Sequence, residues 1–412
     1  MAQSAAHTPK NQADQISQLK PTDRTERRLR RVGAWFLLYL ALQAELGLAW
    51  DRNWHDLIGR DQFWTLPHIM LYAGIGGAGL VALIVITADT LRYKLKKPGV
   101  DDTSTIRIFT FHAPLGYVLL GFGALIDLVA APFDNYWHQL YGIDVTLWSP
   151  FHIMGTLGSI IVGVGIIYVF ASEVVIERQA ARAGHPPRRF LGCSALEWGT
   201  LAVLAAYMNL TIPALTAFVA IPIGPLQLFT YPFALALAGG FSLVSAIQLT
   251  RKPGSATITA LLLCIQTLYT QAFVPFAIST SVALLGISYR FVDRRPAFNL
   301  TLALIPLLFL ISAVLIDWLT YRHQQRHKAT LDILPGTWLL AIVIALPAVV
   351  IPPLLVMIVS VIPALSPLPA GMFALQAQWL DMLIALPVTL LIAIAAIECG
   401  KVFGDIWYMN RR

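Results

Sequence analysis

Apolar runs of about twenty residues recur along this chain, and no other feature limits its fold so strongly. Each is long enough to cross a hydrocarbon layer ~30 Å thick. Within that layer the backbone has only itself to bond with, so runs of this kind are helices. Composition agrees: 57% of residues are hydrophobic and 12% charged, where soluble domains carry about 25% charged residues. A disordered chain, a collagen-like chain and an ordinary soluble enzyme are excluded.

The fold expected is an all-α, polytopic transmembrane helical bundle of about ten spans. They fall near 32–50, 68–89, 108–131, 152–174, 194–218, 226–249, 256–288, 299–319, 336–361 and 379–399. The run 256–288 is long and holds Pro275, so it reads as one helix or as a hairpin, and eleven spans is the alternative. Pro347, Pro352 and Pro353 should kink the helix near 336–361.

The net charge is +7, but the basic residues sit in short runs between apolar segments and read as topology signals rather than as a nucleic-acid surface. Residues 1–31 read as a flexible basic cytoplasmic tail ending in Arg27, Arg28, Arg30 and Arg31. The basic stretches 92–97 and 177–189 should share its side. Residues 51–67 and 132–151 then lie at the outer face of a cell (inner) membrane. Arg290, Arg294 and Arg295 pull their segment inward, and Arg322, Arg326 and Lys328 compete for the same side. Two membrane domains follow, 32–175 and 190–412. Cys193, Cys264 and Cys399 match no zinc or disulfide spacing.

Two stretches of the first domain repeat one another. Asp51, Trp54, His55, Leu57, Gly59 and Asp61 recur 83 positions on as Asp134, Trp137, His138, Leu140, Gly142 and Asp144. One residue is then inserted, and Trp64, His68, Ile69, Met70 and Gly74 recur as Trp148, His152, Ile153, Met154 and Gly158. Each copy has an apolar run before and after it, so the repeat unit is a two-helix hairpin and the two hairpins are parallel.

Each copy carries Asp-x3-His followed by a second His, after 12 residues in the first and 13 in the second. If the preceding helix continues through Asp51 and His55, the i,i+4 spacing puts both on one face. The second His then arrives from the start of the returning helix. Pro67 suits a first helical turn, where the positive helix end disfavours imidazolium and leaves the neutral ring that binds metal. Two imidazoles and one carboxylate leave coordination positions open, as metal catalysis requires. Carboxylates near hydrocarbon are costly, and a cation offsets that cost. The candidate ligands are therefore Asp51, His55 and His68, and Asp134, His138 and His152.

Here the sequence resembles one of the integral-membrane polypeptides of the copper membrane monooxygenases, the particulate methane and ammonia monooxygenases. In that family an Asp-x3-His-x12-His copper motif is followed by a nearby Asn-x3-His-x13-His motif, the order found here. The resemblance covers residues 30–175 and has Asp134 where the family has Asn. It implies copper at both sites, with iron or zinc as alternatives on donor type alone. It further implies oxidation of a small apolar substrate by O2, electrons from a quinol or a protein donor, and other membrane proteins as assembly partners. The rival expectations are a copper transporter and a non-catalytic metal-binding membrane protein.

Four more carboxylates accompany the ligands. Glu45 and Asp127 precede the two copies within the spans, and either orient a ligand histidine or reach water at a helix end. Asp61 and Asp144 match between copies and are either part of the site or loop hydrogen-bonders. Gly74, Gly76, Gly77 and Gly79 lie in an apolar span and mark close helix packing rather than a nucleotide loop.

Overall fold

A computed structural model describes residues 24–59, 63–97, 105–141, 149–215, 220–326, 333–361 and 379–409. Ten of the helices within them are long and apolar enough to cross a membrane. They comprise α1 (Arg24–Leu57), α2 (Leu66–Lys94), α3 (Leu115–Tyr141), α4 (Pro150–Arg182), α5 (Ala195–Leu215), α6 (Tyr231–Thr250) and α7 (Ser255–Leu285), then, after the short α8 (Leu300–Leu304), α9 (Leu307–Arg326), α10 (Thr337–Val361) and α11 (Trp379–Met409). The chain is a multi-pass membrane helical bundle. Pro275 lies inside α7, which is one helix and not a hairpin, so the described residues hold ten such helices. Pro347, Pro352 and Pro353 lie inside α10.

Three short antiparallel hairpins join neighbouring helices. They are β1 (Thr105–Ile108) with β2 (Phe111–Pro114), β3 (Arg189–Phe190) with β4 (Cys193–Ser194), and β5 (Ala220–Ile223) with β6 (Leu226–Phe229).

Helix α6 is buried on nearly every side, as expected for a helix that is apolar all round. It forms the axis against which α5, α7, α10 and α11 pack. The two expected domains share a core: Leu37, Val85, Tyr117 and Phe170 of the first half meet Leu201, Leu204, Leu249 and Phe403 of the second in one cluster. The boundary near 176–190 therefore separates no independent units.

Successive helices run in opposite directions, which gives the bundle two ends. One holds the C-termini of α1 and α3 and is called the site end here. Its segment after α7 is tied to α1 by a bond from the Arg290 amide to the Leu57 carbonyl, 2.7 Å. Arg290 therefore lies at the site end, at the opposite end from Arg322 and Arg326. Its basic neighbours Arg294 and Arg295 follow it in the same segment. Backbone pairing, and not side-chain charge, fixes this segment.

The far end corrects the expected tail. Helix α1 begins at Arg24, and the basic run is part of it. Arg30 is buried, bonded to Asp89 at 2.8 and 3.0 Å and to Glu26 at 2.5 Å. Arg31 bonds to Glu173 at 3.1 Å, and the Tyr117 hydroxyl donates to the Arg30 carbonyl at 2.7 Å. The acidic partners Asp89 and Glu173 come from α2 and α4, so the run packs rather than dangles. Residues 1–23 lie outside the described part of the chain.

The repeat is visible in helix packing. Gly74 of α2 sits against Ala44 and the Leu40 carbonyl of α1. Its counterpart Gly158 of α4 sits against Asp127 and the Gly123 carbonyl of α3, the positions matching Ala44 and Leu40. One register thus crosses both hairpins. Gly116 and Gly165 extend the close approach of α3 and α4, where an added Cβ would fall within 2.7 Å of the facing backbone nitrogen.

Candidate metal centre

Helix α1 does continue through Asp51 and His55, and α3 through Asp134 and His138. The second imidazole of each set stands on the third residue of the returning helix, since α2 begins at Leu66 and α4 at Pro150. The residue inserted in the second copy is absorbed before α4 starts. Ser149 precedes α4 as its N-cap and accepts from the His152 amide at 3.2 Å. Thr65 holds the same position before α2, where its carbonyl accepts from the Ile69 amide at 2.9 Å. Proline in the first turn of both helices supplies the preset backbone angle of a helix start.

Both trios close with the same geometry. Asp51 Oδ2 is 3.4 Å from His55 Nε2, and Asp51 Oδ1 is 3.1 Å from His68 Nε2. Asp134 Oδ2 is 3.3 Å from His138 Nε2, and Asp134 Oδ1 is 3.2 Å from His152 Nε2. In each trio one donor atom per residue lies within 4.8 Å of the other two. A first-row cation bonded at ~2.0–2.2 Å sets tetrahedral donor–donor edges of ~3.3–3.6 Å and octahedral edges of ~2.8–3.1 Å. Each carboxylate–imidazole separation falls within the span of those edges, the two in a trio running to different oxygens of the aspartate.

A second observation points the same way. Asp51 Oδ1 and Asp134 Oδ1 are buried yet accept no in-line hydrogen bond from a described residue, although an imidazole nitrogen stands close to each. Among the described residues these two trios are the groups able to hold a cation.

The surroundings differ. His68 stacks on Tyr72, ring centroids 5.4 Å apart, and Tyr72 meets Phe63 at 5.2 Å. Trp54, next to His55, is buried with Trp50 and Ile58 against Val274, Ala277 and Ile278 of α7. Around the second trio, Phe133 stacks on Phe151 at 5.4 Å and Trp137 meets Phe151 edge-on. Met70 packs against the Trp50 cluster.

A cavity of about 1450 Å³ borders Asp51, His55, His68, Asp134 and His152 together. A smaller one of about 210 Å³ lies between the trios, lined by His68 and Tyr72 on one side and by Asp134 and His138 on the other. The two centres are neighbours within one chamber.

Two of the accompanying carboxylates, Glu45 and Asp127, hydrogen-bond to side chains of neighbouring helices. Glu45 Oε1 accepts from Asn209 of α5, and the Thr270 hydroxyl of α7 lies 3.4 Å from it. Asp127 Oδ2 accepts from Ser159 of α4 at 3.3 Å. Both sit roughly two helical turns below the ligands, too far along the helix to touch them. Asp61 and Asp144 lie outside the described residues.

Sequence reasoning missed Tyr72, Asn209, Thr270 and Ser149. Only Ser149 left a signal, a serine directly before Pro150. Compared with family models, curated proteins and solved structures, the chain matches none.

Proposed function

We propose that this chain is a membrane-embedded, copper-dependent oxygenase-like protein that oxidises an apolar, membrane-soluble substrate with O2. One observation carries the proposal: two Asp-His-His trios of matching geometry open on a single, largely apolar chamber. The choice of copper follows from the motif spacing and its resemblance to the copper membrane monooxygenases, because the donor set alone suits several first-row metals.

Asp51, His55 and His68 would hold one ion, and Asp134, His138 and His152 another. Bound copper would supply the redox chemistry, in which one atom of O2 enters a C–H bond and the other leaves as water, with two electrons and two protons from a quinol or protein donor. The protein's share is positioning. Asp51 and Asp134 offset cation charge in a layer where an unpaired charge is costly. Tyr72 fixes the plane of His68. The apolar walls admit a substrate that concentrates in the bilayer and exclude bulk water from the centre.

The far end argues against metal transport. A cation leaving the chamber there would meet the buried Glu26–Arg30–Asp89 network, with Arg92 at 3.5 Å from Glu26 and Arg31 on Glu173. The carboxylates there are already paired with guanidinium groups.

Metal analysis of the purified protein tests the assignment. Wild type should hold two equivalents of copper, and His55→Ala and His138→Ala one each. Reduced, loaded protein should consume O2 when an apolar substrate is added. Full metal retention in both variants defeats the site assignment, and copper flux in proteoliposomes without O2 uptake would replace oxidation with transport.

A further inference from the structure

The large chamber has a polar wall that the metal centres do not use. Glu45 of α1 is only 7% exposed and borders the cavity. Asn209, Thr267 and Thr270 from α5 and α7 border it beside Glu45. Asn209 donates to Glu45 Oε1, and Thr267 Oγ1 donates to Asn209 Oδ1 at 3.4 Å. The Thr270 hydroxyl lies 3.4 Å from Glu45 Oε1 but 3.0 Å from the Gln266 carbonyl. It has one proton, and the shorter bond takes it. Glu45 Oε2 is buried with no hydrogen-bond partner among the described residues. A half-turn about the broad terminal χ3 well exchanges the two oxygens, so one of them lacks a partner in either orientation of a side chain that borders the cavity.

An unsatisfied carboxyl oxygen at this depth is costly and calls for a partner. We propose that this wall is the head site of a hydroxyl-bearing, membrane-soluble ligand, an alcohol with an extended apolar body. A hydroxyl donates to Glu45 Oε2 and accepts from the second amide proton of Asn209. A hydrocarbon offers neither bond, whereas a hydroxyl suits either form of Glu45, donating to its carboxylate or accepting from its carboxyl proton. Leu48, Leu71, Ile75 and Val274 also border the chamber and receive the body. A small hydrocarbon leaves most of about 1450 Å³ empty, whereas pockets of ~300–1,000 Å³ hold ligands of drug size.

Glu45 precedes Asp51 by six residues, about 9 Å along α1. A head bound at Glu45 therefore presents atoms several carbon–carbon bonds away to the Asp51 trio. That positional consequence rests on the oxidation proposed above; the binding does not.

Photolabelling separates the two. A medium-chain alcohol carrying a diazirine near its tail, and the diazirine alkane of equal length, are applied to metal-free, full-length protein in lipid nanodiscs. The labelled peptides are then mapped by mass spectrometry. The alcohol should label chamber-lining residues of α1, α2 and α7 about fivefold more than the alkane, the factor for one net hydrogen bond. In Glu45→Leu the excess should vanish. Equal labelling by the two probes in wild type overturns the proposal without any variant, as does an undiminished excess in Glu45→Leu. Alcohol-specific labelling in a protein that holds no copper and consumes no O2 would uphold the head site while defeating the oxidation.

Discussion

The α1–α2 and α3–α4 hairpins carry one coordination geometry in two settings. Corresponding carboxylate–imidazole distances agree to within 0.1 Å, 3.4 against 3.3 Å and 3.1 against 3.2 Å. Around them almost everything differs. The first trio is walled by α7, and its His68 side chain is 9% exposed. The second leans on its own hairpin, and its His152 side chain is 24% exposed. Tyr72 stacks on His68, whereas the residue matching it in the second copy is Thr156, which has no ring to offer. The two copies share the six candidate ligands and differ in the residues behind them.

The largest expected difference lies in packing behind the first trio. Trp54 is 3% exposed against α7, while its counterpart Trp137 is half-buried. Trp54→Ala should cost about 3–5 kcal/mol of unfolding free energy, and Trp137→Ala clearly less. Denaturant unfolding of the two variants in the same detergent measures both, and equal losses would erase the contrast.

Tyr72→Thr grafts the second setting onto the first. By removing the group that holds the His68 ring, it should weaken metal binding at that trio by about 10–100-fold, the range for groups that orient a ligand. Binding at the other trio should be unchanged. Competition titrations in a His152→Ala background, where the first trio is read alone, give the number.

The smallest effect separates the glycines. A Cβ at Gly74 would meet the Leu40 carbonyl at 2.8 Å and the Ala44 nitrogen at 2.9 Å, both backbone. At Gly158 the nearest atom is the end of the Asp127 side chain, with the Gly123 carbonyl at 3.0 Å. Side chains yield more readily than helices. Gly74→Ala should lose about 1–3 kcal/mol and Gly158→Ala less, checked by thermal unfolding. A larger loss at Gly158 would mean that Asp127 is held fast.

Most of the architecture was legible in the sequence, because spans are set by hydrocarbon thickness and each run declares itself locally. The two clustered trios were legible because the repeat supplied an internal comparison within one chain. What escaped depends on distant partners. The basic run 27–31 reads as a tail until Asp89 and Glu173, far along the chain, are brought to Arg30 and Arg31. Glu45 reads as a helper of the histidines or as a helix-end group reaching water until Asn209 arrives from another helix. The place of Arg290 depends on a distant partner too, its backbone bond to Leu57.

Because both second imidazoles stand on the third residue of a helix, that helix start, and not the chain leading to it, delivers them. The connecting segment is thereby released from keeping a fixed length, and the two copies already differ by one residue. A search for further hairpins of this kind that counts residues between histidines will discard genuine relatives. Asking instead which rung of the returning helix bears the ring will retain them.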